Sequence, residues 1–170
     1  MIHEKVAQLL NEQIVHELYS SYLYLHFSNY YVEQGLNGFA NWYTVQSKEE
    51  YDHAMLFVQY MQNNDLKVTY GAIAQPDAVL EDSMAPLKAG LTHEQFVTSL
   101  IHNIYDAAHQ VKDFRTMQFL DWFVKEQGEE ETNANDLIKR MEIFGTDSKG
   151  LYLLDQELAA RMYTAPSLVL

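Results

Sequence analysis

Glu50 and His53 stand three residues apart, a spacing that on a helix puts both side chains on one face, one turn apart. A carboxylate and an imidazole so placed can share one transition metal, because oxygen and imidazole nitrogen both suit iron, manganese or zinc. A single Glu-x-x-His carries little weight. Its weight comes from a partial copy at an offset of 77 residues. There His16-Glu17 meets His93-Glu94, Lys48-Glu49-Glu50 meets Lys125-Glu126-Gln127, and His53 meets Glu130. Each half has a lone Glu, then a pair spaced i, i+3, at the same distance along the chain.

The periodicity supplies the elements that hold them. Residues 4–33 read as one helix with Leu10, Ile14, Glu17, Ser21, Tyr24, Ser28 and Tyr31 on one stripe. Gly35, Asn37 and Gly38 break it. A second helix from about Phe39 to Asn63 carries Phe39, Trp42, Gln46, Glu50, His53, Phe57 and Tyr60. A third, about Ser83–Gln110, turns Leu87, Leu91, Glu94, Thr98, Ile101 and Tyr105 inward. A fourth follows an Asp113 N-cap and runs to Phe144, with Leu120, Phe123, Gln127, Glu130, Ala134, Leu137 and Met141 inward and Gly145 as its C′ residue. A short fifth helix covers about Leu151–Met162, and the apolar residues Tyr163–Leu170 have no assignment.

Residues 65–81 show no helical period. A loop of that length needs a reason. A short turn makes the first two helices antiparallel; a third helix parallel to the second requires the chain to return by a full helix length, about 42 Å for a helix of about 28 residues. Seventeen extended residues reach about 56–60 Å, so the loop is long enough for a crossover. The expected fold is all-α, a ferritin-like four-helix bundle with a long crossover between helices 2 and 3 and a short fifth C-terminal helix. Residues 1–170 read as a single domain.

On these stripes Glu17, Glu50, Glu94 and Glu130 face Phe, Tyr and Leu, with no Lys or Arg at their level. Several buried unpaired carboxylates cost several kcal/mol each, so metal ions are the economical partners. The formal charge of −13 fits attraction of cations and argues against nucleic acid and anionic membranes as partners. The absence of cysteine excludes disulfides, thiolate zinc sites and iron–sulfur clusters. No apolar run approaches the ~20 residues of a membrane span. The start, Met-Ile-His-Glu-Lys, lacks the parts of a signal peptide, so the expected location is cytoplasmic.

These residues resemble the bacterial non-heme ferritins through nearly the whole chain. The segments that carry the likeness are Asn11-Glu12-Gln13, Glu17-Leu18-Tyr19-Ser20-Ser21, Glu49-Glu50-Tyr51-Asp52-His53, His93-Glu94-Gln95, Phe119-Leu120-Asp121-Trp122-Phe123, Glu126-Gln127-Gly128-Glu129-Glu130-Glu131 and Gly150-Leu151-Tyr152. The resemblance implies a di-iron ferroxidase centre. Glu17, Glu50 and His53 would hold one iron, Glu94 and Glu130 the second, with Glu50 bridging. Gln127 would hydrogen-bond beside it, and Tyr24 would be the nearby redox tyrosine. Glu49, Glu126 and Glu129 match positions that hold a third iron in bacterial members. Gly128 departs from the family, whose close members commonly carry His there. His16 and His93 should point away from the centre, and His26, His102 and His109 read as packing or surface residues.

The resemblance also implies storage of Fe(III) as a mineral after oxidation of Fe(II) by O2 or H2O2, in a homo-oligomeric shell of twenty-four subunits. No heme is expected, because Gln127-Gly128-Glu129-Glu130 replaces the second Glu-x-x-His of heme-binding relatives and Asp52 stands at the level of their heme ligand. The alternatives are a storage or structural shell with weak ferroxidase activity and a di-iron oxidase without storage.

Overall fold

The computed structural model describes residues 2–170, and every regular element among them is a helix. They are α1 Glu4–Glu33, α2 Asn37–Asn63, α3 Ala85–Gln110, α4 Phe114–Phe144 and α5 Ser148–Leu158. The boundaries follow from local chemistry. The His3 ring accepts from the Lys5 N–H, and the Asp113 carboxylate accepts from the Thr116 N–H. Gly35 turns the chain at φ +75°, a conformation that costs glycine nothing. Pro86 lies in the first turn of α3, where its missing N–H is no loss.

The crossover occupies residues 64–84 and runs the length of α1. Asn11 bonds the Lys67 carbonyl and the Thr69 N–H, the His26 ring reaches the Ala78 carbonyl, and the Tyr31 hydroxyl donates to the Ser83 carbonyl. Positions 11 to 31 of a helix span about 30 Å. The chain therefore starts α3 at the end where α2 began, as the length of the loop predicted.

α1 packs along α2, α3 along α4, and α1 against α3. Their apolar faces form two separate cores. One holds Leu10, Ile14, Phe57, Ile101, Phe119 and Phe123; the other holds Tyr24, Phe27, Tyr31, Phe39, Tyr43 and Leu137. Between them lies a buried polar layer that all four long helices supply.

The structure departs from the periodic reading at several places. On α3, Leu91, Thr98 and Tyr105 are half-buried, and Gly90, Val97 and Ile104 take the core positions. Gly90 lets this edge lie close to α1 and α2: a Cβ there would stand 3.2 Å from the Tyr43 hydroxyl and 3.9 Å from the Phe27 and Tyr24 rings. Ser21, Trp42 and Ala134 are likewise half-buried. Gly145 is not a left-handed C′ residue. Its φ is −79°, and it is needed because a Cβ would meet the Met141 carbonyl oxygen at 2.5 Å. The fifth helix starts at Ser148 instead of Leu151, because the Asp147 carboxylate caps the N–H groups of Lys149 and Gly150, and it stops at Leu158 instead of Met162.

α2 begins two residues before the expected Phe39, and its cap comes from elsewhere. Leu36 offers no capping side chain. The buried Asp155 of α5 accepts from the N–H groups of Gly38 and Phe39 at 2.7 and 3.1 Å. A carboxylate at a helix N-terminus satisfies orphan donors and complements the helix dipole. Gly38 permits the approach, since a Cβ would overlap the Asp155 carbonyl at 1.6 Å.

Gly128, in the middle of α4, has no such justification among the described residues. A Cβ there meets nothing within 4 Å. Gly128→Ala should raise stability by about 0.5–1 kcal/mol, the cost of helical glycine relative to alanine. A denaturant midpoint that fails to rise would contradict this.

Candidate metal centre

α1 delivers Glu17, α2 Glu50 and His53, α3 Glu94, and α4 Gln127 and Glu130. The four carboxylates and His53 are between 1 and 7 % exposed. Ligand atoms of Glu17, Glu50 and His53 lie within 4.8 Å of one another, and they form the one such group of His, Asp or Glu among the described residues. His53 Nδ1 stands 3.4 Å from Glu50 Oε2. Glu17 Oε2 and His53 Nδ1 are buried without a hydrogen-bond partner. Two orphaned atoms aimed into a carboxylate layer are what an ion-binding site presents, since buried polar groups otherwise find partners.

Three glutamines orient the carboxylates. Gln13 Nε2 donates to Glu17 Oε1 at 2.9 Å. Gln46 Nε2 donates to Glu50 Oε1 at 3.1 Å and to Glu130 Oε2 at 2.8 Å, tying the two halves of the layer together. Gln127 Nε2 donates to Glu94 Oε2 at 3.1 Å. The Tyr24 hydroxyl donates to Glu94 Oε1. Thus Glu17, Glu50, His53, Glu94, Gln127, Glu130 and Tyr24 are brought into one layer, with the second group linked through hydrogen bonds to the first.

The electrostatics show a cluster short of positive charge. Burial, then the charge of Glu50, pushes the Glu17 carboxyl up to about 8. The same two causes raise Glu94 to about 8. Burial and the charges of Glu94 and Glu50 hold Glu130 well above the usual carboxylate range. Burial also opposes ionisation of Glu50, but the His53 imidazole and the Gln46 amide hold its carboxyl below the ordinary value. Burial alone would lower His53; Glu50, Glu17 and Glu130 push it up to about 10. Without a cation the layer therefore keeps protons, and a bound divalent ion would take their place. One imidazole among carboxylates suits iron, manganese or zinc.

Glu49, Glu126 and Glu129 do not converge. Glu49 is paired with Arg161 at 2.5 Å, Glu126 is half-buried, and Glu129 is exposed and lies 3.3 Å from Lys125. His93 Nε2 bonds the Ser20 hydroxyl at 2.7 Å, and the His16 ring sits edge-on to Phe96. Trp122 packs edge-on against the His53 ring at 5.5 Å.

Sequence reasoning missed three contributors. Gln13 and Gln46 each stand four residues before a carboxylate, a spacing that pairs side chains on a helix. That signal was present but common. Arg161 fell within the expected fifth helix, but that helix stops at Leu158, and nothing in its period placed Arg161 against α2. A cavity of about 20 Å³ beside Glu94 and Glu130, lined by Tyr24, Gln46 and Gly90, has room for about one water-sized molecule.

A family model described as a ferritin-like domain matches residues 7–144. The bacterial non-heme ferritin of Staphylococcus saprophyticus is 34% identical over 163 residues, 96% of this chain and 98% of that protein. The bacterial non-heme ferritin of Campylobacter jejuni is 33% identical over 156 residues, 92% of this chain and 93% of that protein. Among solved structures, a closed form of the Archaeoglobus fulgidus ferritin made by site-directed mutagenesis aligns with a TM-score of 0.94 at 39% identity, covering 96% of this chain and 100% of that one. A humanized archaeal ferritin gives 0.94 at 40% identity, covering 96% and 99%.

Proposed function

The chain belongs to the ferritin family, and from that premise we propose that it is an iron-storage protein whose buried carboxylate layer is a two-iron ferroxidase centre. One observation carries the reading: four helices bury Glu17, Glu50, Glu94 and Glu130 together, and no Lys or Arg among the described residues pairs with any of them. Iron is the substrate. Glu17, Glu50 and His53 take one Fe(II), Glu94 and Glu130 the other, and Glu50 is shared. Each iron gives one electron to dioxygen, which takes two protons and leaves as hydrogen peroxide. With hydrogen peroxide as oxidant the same two electrons and two protons give water. The protein contributes position and charge compensation, the template role of a two-metal site. Gln127 and Tyr24 hold Glu94 for its iron through their hydrogen bonds to its carboxylate.

The Fe(III) is stored as mineral within a homo-oligomeric shell, the twenty-four-subunit assembly that the family resemblance implies. An excess of 13 negative charges favours gathering Fe(II) in such an assembly. The third iron implied for Glu49, Glu126 and Glu129 would require Glu49 to leave Arg161. The cytoplasm is the proposed location; no helix among the described residues is long and apolar enough to cross a membrane. An oxidase of organic substrates is the weaker reading. Its substrate would need a pocket of several hundred Å³, and the cavity beside Glu94 and Glu130 holds about 20 Å³.

The test is stopped-flow oxidation of Fe(II) added in steps to the metal-free protein. The rapid phase should saturate at two irons per subunit, in a particle that sediments as a large oligomer. A rate no faster than protein-free buffer would overturn the ferroxidase assignment, and a monomer would overturn storage.

A further inference from the structure

After α5 the chain lies back along α2 as a strap. Asn41 Nδ2 donates to the carbonyl oxygens of Leu158, Ala159 and Arg161. The Tyr163 hydroxyl donates to Asp52, and the Trp122 indole donates to the Ser167 hydroxyl at 3.0 Å. Arg161 is the centre of this strap. Its guanidinium lies 4.1 Å from the Trp42 ring centroid and donates to the Trp42 carbonyl at 3.1 Å, to Gln46 Oε1 at 2.9 Å and to Glu49 Oε2 at 2.5 Å. Its side chain is only 17 % exposed.

The contact with Gln46 has a direction. A carboxamide has one accepting and one donating end. Arginine only donates, so it fixes the Gln46 oxygen toward itself. The Gln46 NH2 must then face the opposite way, where it meets Glu50 and Glu130. A flipped Gln46 would set its oxygen against two carboxylates. We propose that Arg161 is a positioning residue for the metal centre: through Gln46 it fixes one carboxylate from each half of the layer, and through its ion pair it withholds Glu49 from any metal. The proposal rests on the two-metal reading above.

Positioning and charge predict opposite signs. By Coulomb's law alone, removing a nearby positive charge tightens cation binding. Loss of a partner that orients metal ligands weakens it, typically 10–100-fold. The experiment is calorimetric titration of the intact metal-free protein with Zn(II), which binds without redox chemistry. Arg161→Met keeps an unbranched apolar stem over Trp42 and should weaken Zn(II) at the paired site by about tenfold. In a Gln46→Ala background the same change should have no further weakening effect, because the path it acts through is gone. Arg161→Lys keeps the charge without the fork and should weaken binding in the same direction by less; it serves if Arg161→Met does not fold.

Unchanged or tighter binding in the single variants overturns the proposal, as does equal weakening with and without Gln46. A parent protein that binds no Zn(II) pair would instead bring down the two-metal reading itself, and the role of Arg161 with it.

Discussion

Glu50→Ala should slow the rapid phase of aerobic Fe(II) oxidation by at least about 100-fold, with the size of the assembly unchanged. Changing a group that merely orients a ligand costs 10–100-fold in affinity or activity. Glu50 is closer to the chemistry than that. It stands in ligand range of Glu17 and His53, and it shares the Gln46 amide with Glu130. Its loss would remove an oxygen from both irons at once. Glu50→Ala also removes the partner that holds His53 charged, so the sedimentation control is what separates loss of the site from loss of the fold. Stopped-flow absorbance at two irons per subunit, with sedimentation as control, measures both. Equal rates in parent and variant would sink the bridged di-iron assignment.

The second large effect is a stability that falls as pH rises. Glu17 and Glu94 titrate at about 8 in the folded chain against an ordinary 4.5. Between those values the folded state holds more protons than the unfolded state, so stability is greatest on the acid side and is lost as pH rises toward 8. His53 acts with the same sign: its value is raised from 6.5 to about 10, so the stability it contributes with Glu50 is lost as pH rises through that range. Glu50, held below its ordinary value, loses its contribution only on the acid side. The metal-free protein should therefore melt on the order of 10 °C lower at pH 9 than at pH 5. Saturating Zn(II) should flatten the profile, since the ion binds the deprotonated groups and displaces their protons. Glu17→Gln should remove part of the slope even without metal, which separates the site from the general negative charge of the chain. Scanning calorimetry across this range is the measurement, and a flat metal-free profile in the parent would contradict the proton-holding layer.

The helices were legible because their apolar stripes are long and interrupted only by Gly35, residues 64–84 and the turns before α4 and α5. Glu17, Glu50, Glu94 and Glu130 stood out because each is a carboxylate among aromatics at one level of its stripe. What periodicity could not show is interaction between segments. Asp155 caps Gly38 and Phe39 across 117 and 116 residues. The inward edge of α3 includes a close approach of Gly90 to Tyr43, which a count along one helix does not contain. Arg161 was read as part of the fifth helix, and only the path of the strap after Leu158 brings it to Gln46. Glu126 and Glu129 are neighbours in sequence and Glu49 matches Glu126 across the 77-residue offset, yet Glu49 is paired with Arg161 and Glu129 with Lys125.

The Asp155 cap also sets an order of assembly. On a ribosome adding about 5–20 residues per second, Asp155 is made roughly 6–23 s after Gly38. Until then the first N–H groups of α2 lack this partner, and by the end of that interval the helices that carry Glu17, Glu50, Glu94 and Glu130 have all been synthesised. The strap is made later still. A nascent chain thus has every carboxylate of its central layer before it has the segment that covers that layer, and a chain stalled before residue 155 would present the acidic layer with α2 uncapped.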